Sequence, residues 1–285
     1  MIIDPRYCGP PGMGNGGYVS GLLAAHVDPA GAAEVTLRRP TPLGVELNVK
    51  TDGDGKAVLL NGTGLVAEAV TLGLRPEVRS PADGFGVLGS PPPAPVAAAQ
   101  AREAGRRAGP RVNREQHPFP GCFVCGPDRT PADGGLGIIP GPLAGRDLLA
   151  DEWRPGEDIA GENGQVRTEF VWAVLDCAGG HGAIRPGLPP YVLGRLKVRP
   201  LRPVLAGHSY VVVGWLLAIG GRKIAAGSVM YNSSGKAAAV ALGTWLPLPG
   251  ATPLPVAPGE AVPAGQAPAD AATGAGAPAG DAAAG

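Results

Sequence analysis

One carboxylate, that of Asp176, interrupts an otherwise apolar stretch of the chain. Every other residue over 170–178 is apolar, and a helix that is hydrophobic nearly all round is enclosed by other structure. An ionised carboxylate there costs free energy unless it is paired or hydrogen-bonded. Because Gly179 and Gly180 follow, we predict that Asp176 lies near the helix C-terminus, where the macrodipole disfavours negative charge. Asp176 is therefore the leading candidate for an acid or base, and pairing with a buried Arg or a backbone amide is the structural alternative.

A glycine turn, Asn15-Gly16-Gly17, offers a second chemical feature. It opens a small-residue apolar helix predicted over residues 19–27. Glycines at such a place let another group approach the backbone closely and leave amide N–H groups free at the helix start. Asn15 either orients a substrate or a water, or occupies a left-handed turn position.

Three further groups carry side chains capable of chemistry. Glu169 lies seven residues before Asp176 and shares its helix face to within about 20°, so it is either a second acid–base group or a first-turn Glu favoured by the dipole. Cys122 and Cys125 form a CxxC pair near His117, but no second pair of matching spacing completes four zinc ligands. We therefore expect no metal and a turn near the mouth of the ligand site. The isolated His181 and His208 are expected to be surface or turn residues.

The elements that position these residues occur twice. Strand patterns in the first half follow the helix, at residues 33–39, 45–49, 56–61 and 64–74. In the second half a strand at 148–154 precedes the helix, and strands at 192–199, 210–219 and 223–230 and a last one at 236–246 follow it, with 210–219 expected to be fully buried. Each half has a strand stopped by a proline element, Pro40-Thr41-Pro42 in one and Pro200-Leu201-Arg202-Pro203 in the other. Two such copies predict a pseudo-dimer within one chain.

Composition excludes several classes of function. The chain has 285 residues, a formal net charge of zero, 47 Gly and 33 Pro, so no basic footprint for nucleic acid is present. No signal peptide is visible, and the longest apolar runs are shorter than the roughly 20 residues that span a bilayer. Four cysteines make no disulfide framework, which favours a reducing cytoplasmic location.

We predict halves at 1–75 and 117–248, a Pro/Ala-rich crossover linker at 76–116 with a short helix at 97–109, and a disordered tail at 249–285.

The repeat resembles a fused double hotdog, an α+β fold in which each half has a central helix wrapped by a curved antiparallel sheet. The second half is similar to acyl-CoA thioesterases of the phenylacetate-pathway type. Three segments carry the similarity: Cys122-Phe123-Val124-Cys125-Gly126-Pro127, then Gly134-Gly135-Leu136-Gly137-Ile138, and Leu175-Asp176 in the helix. In that family His-Gly-Gly opens the helix and an Asp follows nine residues after the His.

Both halves depart from this family pattern, in complementary ways. The helix start of the second half reads Arg167-Thr168-Glu169, whereas the first half has Asn15-Gly16-Gly17 but Ala24 where the Asp belongs. In homodimeric hotdog thioesterases the glycine amide and the carboxylate of one site come from opposite subunits. The resemblance thus implies one composite site, in which Gly17 or Gly16 polarises the thioester carbonyl and Asp176 acts as base or nucleophile. The mirror site has lost both groups.

The resemblance further implies hydrolysis of an acyl-CoA or carrier-bound acyl thioester, with no cofactor. Glu169, Trp172 and Arg199 are the candidate substrate-binding residues. The arginines at the proline turns either meet the phosphates of coenzyme A or are solvated; they are Arg38, Arg39, Arg199 and Arg202. A non-catalytic acyl-thioester binding protein is the main alternative. A hotdog hydratase or dehydratase, which would pair a carboxylate with a His in one site, is the weaker one. A homodimer of double hotdogs is left open.

Overall fold

The computed structural model describes residues 1–72, 92–108, 117–184, 189–248 and 250–251. Within these residues three α-helices accompany one antiparallel sheet of ten strands. The helices are α1 (Gly16–Ala24), α2 (Ala98–Ala108) and α3 (Thr168–Ala183). The strands are β1 (Ala33–Leu37), β2 (Asn48–Thr51), β3 (Lys56–Asn61), β4 (Gly64–Thr71), β5 (Gly141–Pro142), β6 (Leu149–Trp153), β7 (Tyr191–Pro200), β8 (Tyr210–Gly220), β9 (Lys223–Asn232) and β10 (Ala237–Pro247).

The sheet has the strand order β2-β3-β4-β1-β7-β10-β9-β8-β6-β5. Its two parts join where β1 pairs antiparallel with β7, from Ala33 opposite Val198 to Thr36 opposite Arg195. Glu34 adds ion pairs across this junction, to Arg195 at 3.2 Å and to Lys197 at 2.8 Å. Outward from the junction the first part runs β1-β4-β3-β2 and the second runs β7-β10-β9-β8, with β6 and β5 added at the far edge. The predicted combination of apolar helices with an antiparallel sheet is confirmed.

The helices α1 and α3 pack face to face through small residues. Gly17 and Gly21 lie four residues apart, on one face of α1. A Cβ built on Gly17 would stand 2.8 Å from the Cα of Ala173, and one on Gly21 would stand 2.5 Å from the Cα of Glu169. Real Cβ atoms do not approach this closely, so the two glycines allow the backbones to touch. This contact brings the start of α1 against the middle of α3.

Asp176 does not lie near the end of its helix, and that prediction is wrong. Helix α3 continues through Gly179 and Gly180 to Ala183. A Cβ on Gly179 would stand 2.6 Å from the Trp245 ring, and one on Gly182 would stand 2.8 Å from the backbone nitrogen of Trp215. These glycines permit close helix–sheet packing instead of ending the helix. Asp176 is therefore in the middle of α3, where it is only 6% exposed.

Two strand predictions also need correction. The strand expected at 45–49 begins at Asn48, because residues 46 and 47 pair with the start of the chain: Ile2 bridges Glu46, and Leu47 N–H donates to the Met1 carbonyl at 2.8 Å. Strand β8 is buried only over 210–215. After Trp215 only Leu216 and Ile219 stay half-buried, on a small cluster with Ile224 and Trp245, and Leu217 is 36% exposed. The remaining strand predictions are confirmed to within a few residues.

Helix α2 confirms the short helix predicted within the linker. It packs on β6 and β5, with an ion pair from Arg102 to Glu152. The rest of the predicted linker lies largely outside the described residues, as does the predicted disordered tail beyond residue 251. Within the described part of the chain, no helix combines the length and apolar character that crossing a membrane requires.

Candidate functional site

A cavity of about 310 Å³ opens between the start of α1, the middle and end of α3, and strand β7. Its volume falls at the small end of the range that ligand sites occupy. Of the predicted site residues, Asn15, Gly16 and Asp176 line it. Most of its wall is apolar, and the lining includes Met13, Leu37, Phe119, Ile184, Val192, Leu193 and Trp245. The cavity thus joins an apolar surface to a few polar groups from both halves of the chain.

The Asp176 carboxylate accepts a hydrogen bond from the backbone N–H of Gly17, at 2.8 Å. The predicted pair is therefore in direct contact although 159 residues separate its members. Burial raises the pKa of Asp176 to about 7, and the negative charge of Cys122 acts in the same direction. The Gly17 amide opposes this shift by hydrogen-bonding the carboxylate, and the nearby Trp245 side chain acts in the same direction as the amide. A carboxyl group with such a pKa exchanges protons readily near neutral pH.

The N-terminus of α1 is capped by Asn15, whose side-chain oxygen accepts from the Tyr18 N–H at 2.9 Å. With a φ of −59° Asn15 is not left-handed, so that alternative is wrong. Its side-chain amide faces the sulfur atoms of Cys122 at 3.7 Å and Cys177 at 3.8 Å. Asn15 therefore orders the start of α1 and links it to the polar wall of the cavity.

The two glycine amides of this turn differ in their partners. Gly17 N–H is taken by Asp176, whereas Gly16 N–H finds no acceptor among the described residues. A Cβ on Gly17 would stand 2.5 Å from the Cβ of Asp176, and one on Gly16 would stand 3.0 Å from Leu193. Glycine at 17 is thus required for the carboxylate to reach the backbone. Gly16 is the amide of the turn that is left to donate to a ligand.

The start of α3 is built differently. Arg167 is its N-cap residue without a side-chain capping bond, and its guanidinium lies 3.3 Å from the Glu169 carboxylate. Across from it Gly21 packs on Glu169, and Ala24, where a second carboxylate would belong, is fully buried. The α3 start therefore presents an ion pair, not a glycine amide with a facing acid.

The three predicted substrate-binding residues do not line the cavity. Glu169 is engaged by Arg167, and Trp172 is fully buried beside Gly31, with its indole nitrogen shielded and without a partner in the described structure. Arg199 lies on β7 opposite Val240. Of the other arginines considered, Arg38 and Arg39 contribute to the cavity wall, which places them to meet an anionic ligand.

A cluster of cysteine and histidine side chains was not predicted from the sequence. The potential ligand atoms of His117, Cys125 and His181 lie within 4.8 Å of one another, as do the sulfur atoms of Cys122, Cys125 and Cys177. His181 is not an isolated surface residue, because its Nε2 is shielded from solvent in the last turn of α3. Cys177 and His181 are four residues apart, the spacing that puts two side chains on one helix face. That spacing was the signal available in the sequence.

Burial governs the protonation of the two histidines in this cluster. It lowers the pKa of His117, and it lowers that of His181 to about 3, with the neighbouring His117 contributing in the same direction. Both imidazoles are therefore neutral at pH 7. Hydrogen bonds from Cys125 and Cys177 lower the pKa of the Cys122 thiol, and the pKa values of Cys125 and Cys177 are raised. Cys122 is thus the sulfur on which negative charge is best accommodated.

Comparison with known proteins finds its matches among solved structures. A thioesterase superfamily protein aligns at 18% identity over 44% of this chain and 62% of its own length, with a TM-score of 0.38. The E. coli PaaI protein from the phenylacetic acid degradation operon aligns at 13% identity over 53% of this chain and 98% of its own, with a TM-score of 0.40. A hypothetical thioesterase from Streptococcus pneumoniae, solved with coenzyme A, aligns at 15% identity over 39% and 84%, with a TM-score of 0.35.

No family model matches the sequence, and no curated protein matches it. The solved structures to which the chain is partly similar thus include proteins named as thioesterases. At these identities and TM-scores, its activity has to be inferred from the site itself.

Proposed function

We propose that the protein hydrolyses an acyl-CoA or carrier-bound acyl thioester at one composite site between two hotdog halves. The observation that carries this proposal is the contact between the Gly17 N–H and the buried Asp176 carboxylate, at the wall of a largely apolar cavity. A thioester of a fatty or aromatic acid needs an apolar wall for its acyl group, an oriented base, and a donor for the developing oxyanion. The cavity offers a candidate for each of these groups.

In this proposal Asp176 takes a proton from a water molecule, and the resulting hydroxide adds to the thioester carbonyl carbon. The Gly17 amide holds the carboxylate in place. The negative charge that develops on the carbonyl oxygen is met by the Gly16 N–H, a helix-start donor that needs no reorganisation. When the carbon–sulfur bond breaks, the proton on Asp176 passes to the leaving thiolate. Direct attack by Asp176 on the carbonyl carbon is the other route: it breaks the carbon–sulfur bond, expels the thiolate, which takes a proton from water, and leaves a mixed anhydride. Attack of water on the Asp176 carbonyl of that anhydride releases the acid and would place ¹⁸O from labelled water in the Asp176 side chain.

The strand order supports the composite character of the site. Both parts of the sheet run outward from the β1–β7 junction in corresponding order, and α1 of one part meets α3 of the other. In such a pseudo-dimer one site is expected at each helix start. Only the α1 start retains the glycine pair, and only α3 supplies a facing carboxylate, so we propose one active site per chain.

The first experiment measures free-thiol release from a panel of acyl-CoA substrates. We expect Asp176→Asn to lower kcat/KM by about 100-fold to 10,000-fold, the usual contribution of a positioned base. The matched control is Asp151→Asn, because Asp151 is also a buried carboxyl with a pKa raised by burial, to about 6, but it does not line this cavity. Wild-type protein that releases no thiol from any acyl chain would overturn the enzymatic proposal.

A second experiment isolates the Gly16 amide. Gly16 is the first residue of α1, a position at which proline fits the helix but carries no N–H. The preceding Asn15 has a ψ of 130°, which is compatible with a following proline. Gly16→Ala adds a similar Cβ and keeps the N–H, so it is the matched control. We expect the proline variant to be slower than the alanine variant by about 100-fold to 1000-fold, the loss seen when one oxyanion donor is removed; equal rates would exclude Gly16 as the donor.

The second candidate function is acyl-thioester binding without turnover. The observation that favours it is the same contact, since Asp176 occupies the Gly17 amide that could otherwise face the substrate. A non-hydrolysable acyl-CoA analogue that binds with a defined affinity, while no thiol is released, would support this candidate. Arg39 is exposed at the cavity wall and makes no ion pair with any described residue. Arg39→Met should therefore weaken binding of the anionic coenzyme A part of the analogue.

A further inference from the structure

The cysteine–histidine cluster joins two segments that are remote in the sequence. His117, Cys122 and Cys125 come from the segment that precedes β5, and His181 comes from the last turn of α3. His117 is 5% exposed, and Cys122 and Cys125 are 2% and 6% exposed. The Nε2 atoms of both histidines are buried and find no hydrogen-bond partner among the described residues.

Burying two imidazole nitrogens without hydrogen-bond partners costs free energy, because each nitrogen has lost its hydrogen bond to water. The histidines also face each other, with ring centroids 5.7 Å apart. The Cys125 sulfur lies beside them, and the potential ligand atoms of His117, Cys125 and His181 are all within 4.8 Å of one another. Imidazole nitrogen and thiolate sulfur are the donors that zinc and similar ions prefer.

We propose that His117, Cys122, Cys125 and His181 bind one divalent transition-metal ion of the zinc class. Three of the four donors converge directly, and Cys122 is the fourth because it shares a CxxC loop with Cys125 and lies within the same sulfur cluster. Cys177 remains a neighbour on α3 whose thiol hydrogen-bonds the Cys122 sulfur, at 3.9 Å. Two thiolates balance the charge of a divalent ion, so the filled site is neutral in its buried setting.

Occupancy would fix the cavity wall. His117, Cys125 and His181 all line the cavity that contains Asp176. Four protein donors make a closed tetrahedral site, which is typical of structural zinc. The ion would therefore tie the CxxC loop to the end of α3, and this assignment does not depend on the proposed thioesterase activity.

Metal binding has a consequence for His117 that can be observed in the wild-type protein. The Nδ1 of His117 accepts a hydrogen bond from the Phe119 N–H, at 3.0 Å, so the neutral ring carries its proton on Nε2. Coordination through Nε2 moves that proton to Nδ1 and gives up the Phe119 contact. Cys125 releases its proton as well, and so does whatever fraction of Cys122 is still a thiol, so zinc titration should release between one and two protons per chain.

The test uses the full chain, freed of metal by a chelator and titrated with Zn²⁺ or Co²⁺. We expect one ion per chain, a thiolate-to-cobalt charge-transfer band with the intense visible bands of tetrahedral Co²⁺, and a Tm raised by about 5 to 10 °C at a hundredfold excess of Zn²⁺ over its Kd. ¹⁵N spectra of the imidazoles should show the His117 proton moving to Nδ1. A folded apoprotein that gives neither the charge-transfer band nor a Tm shift would overturn the proposal.

Variants locate the ion. His117→Ala, His181→Ala, Cys122→Ser and Cys125→Ser should each abolish tetrahedral cobalt binding, whereas Cys177→Ser and the exposed control His208→Ala should retain it. If Cys177→Ser abolishes the band and Cys122→Ser keeps it, the assignment of the fourth ligand is wrong. Should a variant fail to fold, the proton release and imidazole spectra of the wild type still decide the question.

Discussion

Helices α1 and α3 pack against each other, yet their N-termini differ in what they present. At α1 a glycine amide is bonded to a carboxylate of the other helix, whereas at α3 an Arg167–Glu169 ion pair packs over Gly21. The backbone contact is kept in both places, since Gly17 meets Ala173 and Gly21 meets Glu169. The glycine is on the α1 side in each contact. Close helix packing therefore occurs at both positions, and only the first adds a hydrogen bond to a buried carboxylate.

A glycine in α1 can thus serve packing alone, or packing together with a hydrogen bond from its N–H. Gly21 only makes room for Glu169. Gly17 makes room for Asp176 and also donates its N–H to it. Three substitutions and one pH profile test this difference between the two helix starts, and their expected effects decrease from Gly17 to Glu169.

Gly17→Ala should be the most damaging change. The new Cβ would stand 2.5 Å from the Asp176 Cβ and 2.7 Å from the Trp172 carbonyl oxygen, so the helices must separate. We expect a loss of about 2 to 3 kcal/mol in the free energy of unfolding, measured by urea denaturation. The control is Gly220→Ala, at a site where an added Cβ meets nothing within 4 Å. Equal stabilities of the two variants would refute the packing role assigned to Gly17.

Asp176→Asn should stabilise the protein at alkaline pH while removing activity. The folded-state pKa is raised from 3.8 to about 7, so the stability that protonated Asp176 contributes is complete below about pH 4 and is lost as the pH rises through about 7. Asn keeps an acceptor for the Gly17 N–H without the buried charge. We expect the variant to exceed wild type by roughly 1 to 3 kcal/mol at pH 8 and to match it near pH 4; lower stability at pH 8 would contradict the assigned burial cost.

The pH dependence of kcat/KM should report the same group. If ionised Asp176 is the base, the rate of thiol release rises about tenfold per pH unit below its pKa of about 7 and levels off above it. Cys122 charge raises this pKa, whereas the Gly17 amide and Trp245 lower it. The Asp151→Asn variant should keep the profile. A rate that does not change between pH 5 and pH 9 would remove Asp176 from the base role.

Glu169→Gln should have the smallest effect. Its ion pair with Arg167 is partly solvated, with the arginine side chain 44% exposed, and such pairs contribute about 0 to 1 kcal/mol. We expect the unfolding free energy to fall by less than about 1 kcal/mol and kcat/KM to stay within about twofold. A loss as large as that of Asp176→Asn would mean that the α3 start is also functional.

Sequence patterns predicted most of the elements because their periodicities are local. The alternation and the glycine turns predicted most strands of the sheet to within a few residues, and apolar runs predicted both central helices. The errors fall where distant contacts override local signals. Gly179 and Gly180 read as a helix end, but Trp245 from the last strand occupies the space that a Cβ would take, and α3 runs on. Residues 46 and 47 alternate like the strand that follows, but they pair with the first residues of the chain.

The candidate site divides in the same way. Residue types within one turn or one apolar run were enough to predict that Asp176 is a buried carboxylate and that Asn15-Gly16-Gly17 opens a helix. Tertiary packing was needed to learn that Gly17 bonds the carboxylate, that Gly16 keeps its N–H, and that His181 joins the CxxC loop. These facts depend on how two helices and a loop pack across the molecule, and hydrogen bonds and metal ligands require distances that spacing along the chain does not fix.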